Sequence, residues 1–265
     1  MSDSTPLWLP PAMVQRAREF RGPPAPVRAA ATVVLIRPAG PTFEVYVLKR
    51  VTTMAFGGVY AFPGGGVDPS DRPETLRTDW PDRLGVPGAE AKAVVGAAAR
   101  ELFEEAGVLL AGRASEADHT VGDVSGDDWE VDRADVAARR LTMTELLSRR
   151  GLRLRDDLLL PWARWITPEF EPRRFDTWFF LALLPEAQTA RDVSGEADRT
   201  AWIGPAAAGG LTMLPPTRSM LNDLAAYERV EDVVAASGKR NAAAPVMPRA
   251  ELTEDGGAVL HVPRA

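Results

Sequence analysis

The chain has 265 residues, of which 45% are hydrophobic and 26% are charged, and it carries a formal net charge of −6. This length and apolar content predict one large folded domain or two small ones, and they exclude an intrinsically disordered chain. Cysteine is absent and there are only two histidines, which excludes disulfides, thiolate metal sites and histidine-rich metal sites. Any metal must therefore be bound mainly by oxygen, as Mg²⁺ and Mn²⁺ are.

The negative charge argues against a protein that coats nucleic acid, because such proteins neutralise phosphates with clustered lysine and arginine. The charge does not exclude a small nucleotide as a ligand. No apolar stretch reaches the ~18 residues of a membrane span, and the N-terminus lacks the basic start of a signal peptide. We therefore expect a cytoplasmic protein that binds neither nucleic acid nor membranes. The oligomeric state is left open, and a homodimer is one of the alternatives.

The first third of the chain predicts an extension followed by strands. Residues 1–27 form the extension, with a helix around residues 11–21. Two β-branched runs, starting at Ala29 and Phe43, are separated by turn residues and predict a hairpin. A short strand then ends in Pro63 and three glycines, which permit close approaches that a Cβ atom would block. Residues 72–88 are polar and rich in proline, and they predict a surface insertion.

The remainder of the chain predicts helices alternating with strands. We expect helices at about 90–107, 130–150 and 217–237, and strands at LLLPWARWIT, FDTWFFLALLP and 200–203. The continuous apolar run of FDTWFFLALLP is typical of a sheet that is buried on both faces. The final AVLHV predicts an edge strand. Together these patterns predict one mixed α/β (α+β) domain over residues 28–237, followed by a tail of residues 238–265.

The most informative segment is RELFEEAGV at residues 100–108. At about 100° per residue, its three glutamates fall within one arc of roughly 100°, opposite the apolar positions. Like charges three or four residues apart repel each other, and a cation relieves that repulsion. The ordinary alternative is a solvated glutamate face on which Arg100 pairs with Glu104. The full nine-residue pattern should arise by chance in only about a few of every hundred thousand chains of this size.

This pattern resembles the second half of the Nudix box, the signature of hydrolases that cleave nucleoside diphosphates linked to another group. The resemblance implies the Nudix fold, a mixed β-sheet sandwiched between helices. FPGG at residues 62–65 resembles the entry to the first half of the box, and Asp71 stands where the family has its first glutamate. The box is interrupted, because 28 residues separate Asp71 from Arg100. This insertion, with PRRFDTWFF and LPPTRSML, resembles the coenzyme A diphosphatase branch of the family.

The resemblance implies a role for each residue of the motif. The metal ligands, for Mg²⁺ or Mn²⁺, would be the carboxylates of Glu101, Glu104 and Glu105 and the backbone carbonyl of Gly65. Arg100 would hold the carboxylates in place. The general base would come either from the box, where Glu101 is the candidate, or from a later loop, where Glu196 is.

Three arginines are candidates for contacting substrate phosphates, each with a solvated surface arginine as the alternative: Arg50, Arg173 and Arg174. The function implied is a metal-dependent diphosphatase for a small nucleotide conjugate. By resemblance to the branch, coenzyme A or acyl-coenzyme A would be cleaved to 3′,5′-ADP and a phosphopantetheine. One alternative is a Nudix enzyme for NADH or ADP-ribose, and residues 53–56 lack the arginine that coenzyme A-cleaving members often carry there. The other alternative is a catalytically silent Nudix-like domain that binds a nucleotide as a regulator.

Overall fold

A computed structural model describes residues 5–9, 11–51, 57–193, 195, 197–254 and 257–263. The α-helices among these residues are α1 Pro11–Glu19, α2 Trp80–Leu84, α3 Gly88–Ala106, α4 Asp127–Ala137, α5 Met143–Arg149, α6 Pro215–Leu224 and α7 Val230–Ser237. The strands are β1 Thr5–Trp8, β2 Val27–Ala39, β3 Thr42–Arg50, β4 Tyr60–Ala61, β5 Gly64–Gly66, β6 Ala111–Arg113, β7 Leu152–Leu154, β8 Leu160–Ile166, β9 Arg174–Leu183, β10 Ala197–Ile203, β11 Pro245–Val246, β12 Arg249–Leu252 and β13 Ala258–Val262. Short 3₁₀ turns lie at Asp156–Leu158 and Pro205–Gly210.

The central sheet is mixed and has the strand order β10-β3-β2-β9-β8-β11, with β4 paired to β3 and β5 paired to β2. The β2–β9 and β8–β11 pairs are parallel, and the other pairs are antiparallel. Strand β9 lies between β2 and β8, and its residues 178–182 are buried. This confirms the strand that the continuous apolar run predicted to be covered on both faces. The predicted β2–β3 hairpin is also confirmed.

Helices cover both faces of the central sheet. On one face, α3 packs with Val33, Trp178 and neighbouring residues of β2 and β9. On the opposite face, α6 and α7 pack against side chains that alternate with these, including Val34 and Leu181. The predicted α/β (α+β) fold, a mixed sheet sandwiched between helices, is confirmed. Among the described residues, no helix combines the length and the apolar character that crossing a bilayer needs.

The two ends of the chain meet in a separate three-stranded sheet of order β1-β13-β12. AVLHV therefore forms the central strand of this sheet, and its prediction as an edge strand was wrong. The cause is a pairing between residues about 255 positions apart, such as Leu7 with Leu260, which no local pattern reveals. Beyond residue 238, β11 also adds a parallel strand to β8. The domain boundaries at residues 28 and 238 stay predictions.

Two predicted long helices are each interrupted. The predicted helix over residues 130–150 consists of α4 and α5, separated by a turn in which Arg139 has a φ of +60°. Helix α5 begins at a capping box, in which the Thr142 side chain accepts from the Glu145 N–H and Glu145 accepts from the Thr142 N–H. The predicted helix over residues 217–237 likewise consists of α6 and α7. In both cases the predicted helix is too long, but the shorter helices still pack their apolar faces on the core.

Residues 72–88, which were predicted to be a surface insertion, do not all lie at the surface. Residues such as Arg72 and Glu74 are exposed, as predicted, but Trp80 and Leu84 of α2 are fully buried. The Trp80 indole N–H also donates to Asp156 Oδ2 at 2.7 Å. The prediction of a surface insertion over residues 72–88 was therefore wrong for α2, which contributes to the core beside α3.

Candidate active site

Helix α3 presents the motif residues to the glycine-rich strand. Its apolar positions pack on the central sheet, and it ends at Gly107, which has a φ of 64° and donates its N–H to the Phe103 carbonyl. This is the left-handed C-terminal cap that the sequence predicted. Four charged residues in its last two turns are all buried: Arg100, Glu101, Glu104 and Glu105. The alternative of a solvated glutamate face is excluded by this burial.

Arg100 is the centre of a buried network of carboxylates. Its Nε donates to Asp71 Oδ1 at 2.7 Å and its Nη2 to Asp71 Oδ2 at 2.9 Å. Its Nη1 donates to Glu101 Oε1 at 2.6 Å and lies 3.2 Å from both oxygens of Glu104. A further bond from Nη2 reaches the Gly66 carbonyl at 2.9 Å. One guanidinium therefore joins both halves of the interrupted box to the glycine strand.

Burial alters the acidity of Glu101. Removal from solvent is the largest effect, and it raises the pKa of Glu101. The Arg100 guanidinium lowers this pKa and the Glu104 carboxylate raises it, and the result is a pKa of about 7. A carboxyl group in this range exchanges a proton near neutral pH. At the end of the glycine loop, hydrogen bonds from Ser70 hold the pKa of Asp68 below its usual value.

Strand β5 fits between β2 and α3 because Gly64 and Gly65 have no side chains. The Gly64 N–H donates to Glu105 Oε2 at 2.9 Å. A Cβ atom on Gly65 would lie 2.5 Å from Glu101 Oε1, whereas a Cβ on Gly66 would meet nothing within 4 Å. The absence of a side chain at Gly65 therefore brings the backbone directly against the Glu101 carboxylate.

A second arginine, Arg139, reaches the carboxylates from the turn between α4 and α5. Its Nη1 donates to Glu104 Oε1 and, at 3.1 Å, to the Val136 carbonyl. Its Nε lies 3.7 Å from Asp68 Oδ2. Sequence reasoning missed this residue because it was assigned to the interior of a continuous helix. The Thr142–Glu145 capping box is the signal that could have placed a turn just before residue 142.

The carboxylates engage hydrogen-bond donors of the chain itself. Glu101 and Glu104 accept from arginines and Glu105 accepts from a backbone N–H, and no three acidic or histidine groups of the described residues converge as a preformed metal cage. The donor set is nevertheless composed of oxygens, as Mg²⁺ and Mn²⁺ require. The close approach of Gly65 to Glu101 leaves the backbone beside these oxygens. The residues therefore fit a hard divalent cation, provided that carboxylate oxygens exchange their present partners.

On its other side, strand β5 lines a cavity of about 390 Å³. Apolar and aromatic residues of β8 and β9 form much of its wall, together with residues 214–217, the LPPT of the sequence motif. Met13 of α1 and Leu260 of the terminal sheet also line it. An ion pair at 3.0 Å between Arg16 of α1 and the buried Glu171 holds the N-terminal helix at this wall. Strand β5 thus lies between the carboxylates and a largely apolar cavity.

The structure separates the three candidate arginines. Arg50 and Arg173 line the cavity, and Arg50 Nε is a buried donor without a hydrogen-bond partner among the described residues. Arg174 does not line it, because its buried side chain donates to the carbonyls of Thr167 at 3.0 Å and Ala25 at 2.9 Å. The predicted phosphate contact of Arg174 would require its guanidinium to leave these carbonyls, and it stays a prediction. Glu196 and residues 52–56 lie outside the described residues, so Glu196 stays a prediction.

Comparisons with known proteins agree with the fold. Over 233 residues the chain is 28% identical to a Caenorhabditis elegans protein named "Putative nudix hydrolase 7", a match that covers 84% of this chain and 68% of the relative. The crystal structure of a NUDIX hydrolase from Alicyclobacillus acidocaldarius superposes with a TM-score of 0.60 at 29% identity, covering 82% of this chain and 97% of that one. No family model matches the sequence.

Proposed function

We propose that this chain, a Nudix hydrolase in fold and in its relatives, cleaves the diphosphate of a small nucleotide conjugate with Mg²⁺ or Mn²⁺. The observation that carries the proposal is the buried set of Glu101, Glu104 and Glu105 beside the glycine strand. Burying three carboxylates on one helix face is costly unless cations compensate them. A diphosphate substrate needs cations at the same place.

The metal would be held by Glu101, Glu104, Glu105 and the Gly65 carbonyl. When bound, a divalent ion neutralises phosphoryl oxygens and favours deprotonation of an attacking water. Arg100 acts as a positioning residue, because its contacts to Asp71 and Gly66 fix the guanidinium that orients Glu101 and Glu104. This arrangement orders the carboxylates before substrate arrives.

The proton of the attacking water has two candidate acceptors. Glu101 is supported by its position, because its carboxylate lies directly against the Gly65 backbone at the proposed metal site. Glu196 is the later-loop candidate. E196Q distinguishes them, because E101Q would also remove a proposed metal ligand and lower kcat in either case. If Glu196 is the base, E196Q lowers kcat and removes the acid limb of the pH–rate profile, whereas if Glu101 is the base, E196Q retains that limb.

The cavity supports coenzyme A or acyl-coenzyme A as the substrate. Its wall is largely apolar, but Arg50 Nε and Trp165 Nε1 are buried donors without a hydrogen-bond partner among the described residues. A pantetheine arm combines apolar groups with amide carbonyls that could accept from such donors. The guanidinium groups of Arg50 and Arg173 are suited to the phosphates. The products would be 3′,5′-ADP and a phosphopantetheine, with the acyl group retained where one is present.

Product analysis by mass spectrometry tests this substrate. Coenzyme A, acetyl-coenzyme A, NADH, ADP-ribose and dinucleoside polyphosphates are incubated with the protein and Mg²⁺. The proposal expects the highest kcat/KM for a coenzyme A species and the two products named above. Faster cleavage of NADH or ADP-ribose would assign the enzyme to another substrate. Binding of these nucleotides without any cleavage would favour the regulator.

Dephospho-coenzyme A provides a matched probe of the 3′-phosphate. If an arginine contacts that phosphate, its loss removes a charged hydrogen bond of roughly 1.5 to 3 kcal/mol and lowers kcat/KM by about one to two powers of ten. R173Q should then reduce the difference in kcat/KM between coenzyme A and dephospho-coenzyme A. Equal kcat/KM for both substrates in the wild-type protein would contradict the contact.

A further inference from the structure

We propose that Arg139 is an exchangeable counter-ion of Glu104, which it neutralises in the metal-free enzyme and releases when a divalent cation binds. This inference rests on the metal dependence proposed above. It assigns a role to a residue outside the Nudix motif, located in the turn between α4 and α5.

The two arginines that contact Glu104 are held very differently. Arg100 is 2% exposed and is fixed by two bonds to Asp71 and one to the Gly66 carbonyl. The Arg139 side chain is 41% exposed, and apart from Glu104 it has only the Val136 carbonyl at 3.1 Å and Asp68 at 3.7 Å among its described contacts. Arg139 can therefore move into solvent without unpairing a buried guanidinium, whereas Arg100 cannot.

The backbone of Arg139 supports a specific role for its side chain. Among the described residues it is the one non-glycine residue with a positive φ, at +60°. This left-handed conformation is unfavourable for a residue with a Cβ atom and favours glycine. In this turn the Arg139 guanidinium contacts the Glu104 carboxylate, a contact that a glycine at the same position could not make.

Charge balance determines the direction of the exchange. Without a metal, Glu101, Glu104 and Glu105 repel one another, and Arg139 supplements the compensation that Arg100 supplies. A divalent cation on Glu104 would repel the Arg139 guanidinium and compete with it for the same Oε1 atom. Metal and Arg139 are therefore competitors, so removal of Arg139 should strengthen metal binding. An arginine that merely supported the site would have the opposite effect, since its removal would weaken metal binding.

Manganese binding measured by electron paramagnetic resonance separates the two cases. The variants are R139Q, R139K, which keeps the charge, and R139G, which removes the guanidinium and relieves the left-handed strain. R140Q is the matched control, because Arg140 is the adjacent arginine but pairs with Asp135 at the surface. We expect R139Q and R139G to bind Mn²⁺ about two- to fivefold more tightly than wild type, with R139K and R140Q close to wild type.

Thermal unfolding gives a second readout. Without metal, R139Q should have a lower Tm than wild type, and saturating Mn²⁺ should reduce the difference because the ion replaces the missing cation. Unchanged or weaker Mn²⁺ binding in both R139Q and R139G would overturn the counter-ion role while leaving the metal site in place. Failure of the wild-type protein itself to bind Mn²⁺ would overturn the proposed metal dependence, and this inference with it.

Discussion

Arg100 and Asp71 form a buried, two-point ion pair between helix α3 and the turn that follows the glycine strand β5. Their contacts are 2.7 Å and 2.9 Å long, and both side chains are at most 2% exposed. Asp71 Oδ2 also accepts the Asp68 N–H at 2.7 Å, which closes the turn after the glycine strand. The two halves of the motif are thus joined in space although 28 residues separate these two positions in sequence.

Removing the carboxylate of Asp71 should destabilise the fold. D71A leaves part of the buried Arg100 guanidinium without its partner, and we expect it to lower the free energy of unfolding by about 3 kcal/mol or more. Urea denaturation measures this loss. D82A, at an exposed position of α2, is the control and should change stability by no more than about 0.5 kcal/mol. A D71A protein as stable as the D82A protein would show that the ion pair is not structural.

The α2 segment should be required for folding. W80A removes a fully buried indole and its bond to Asp156, so we expect a loss of about 3 to 5 kcal/mol of stability. Replacing residues 72–88 with a Gly/Ser bridge should abolish the cooperative thermal transition. E74A, at an exposed position of the same segment, should unfold like wild type. A bridged protein with a wild-type transition would mean that α2 adds nothing to the core.

Glycines 65 and 66 offer a paired test of the glycine strand. G65A places a Cβ atom 2.5 Å from the Glu101 carboxylate, whereas G66A places one in open space. Since the side chain of Glu101 can rotate away, G65A should fold, but displacing this carboxylate by about 1 Å should reduce kcat roughly 100-fold. G66A should keep most activity. Comparable kcat values in the two variants would contradict the position given to Glu101.

Stability of the metal-free protein should depend on pH through Glu101. Its pKa is raised from 4.5 to about 7 in the folded protein, so between these pH values the folded state binds more protons than the unfolded chain. The contribution of this group to stability is therefore greatest below pH 4.5 and decreases as pH rises through 7, by at most about 3 kcal/mol. E101Q imitates the protonated form and should lack this pH dependence.

Chemical denaturation from pH 5 to pH 8 in EDTA checks the effect. The free-energy difference between wild type and E101Q should grow over this range in favour of the variant. Parallel profiles would show that Glu101 is ionised throughout in the folded protein.

Sequence periodicity is sufficient to predict α3, because its apolar positions repeat along one face and Gly107 marks its end. The same reasoning joined α4 to α5, since the turn at Arg139 carries no glycine or proline signal although its φ is +60°. Burial of Trp80 was missed because polar neighbours and prolines dominate its segment. Pairing of the chain ends was missed because it joins residues at opposite extremes of the sequence.

Motif resemblance placed the charged residues of α3 and the glycine strand together, and the structure brings them into contact. It could not distinguish Arg173 from Arg174. Arg173 precedes β9 and Arg174 begins it, and only the structure shows that Arg173 lines the cavity whereas Arg174 donates to backbone carbonyls.

Turnover by wild type and E105Q, with Mg²⁺ and with excess EDTA, tests metal-dependent hydrolysis most directly. The side-chain amide of this variant keeps an oxygen that can accept the Gly64 N–H, so its Tm should stay within a few degrees of wild type. Loss of this proposed metal ligand should nevertheless lower kcat on the proposed substrate coenzyme A by about 100-fold or more, and EDTA should abolish wild-type turnover. Near wild-type turnover by E105Q with Mg²⁺, or wild-type turnover that persists in EDTA, would contradict the proposed metal site.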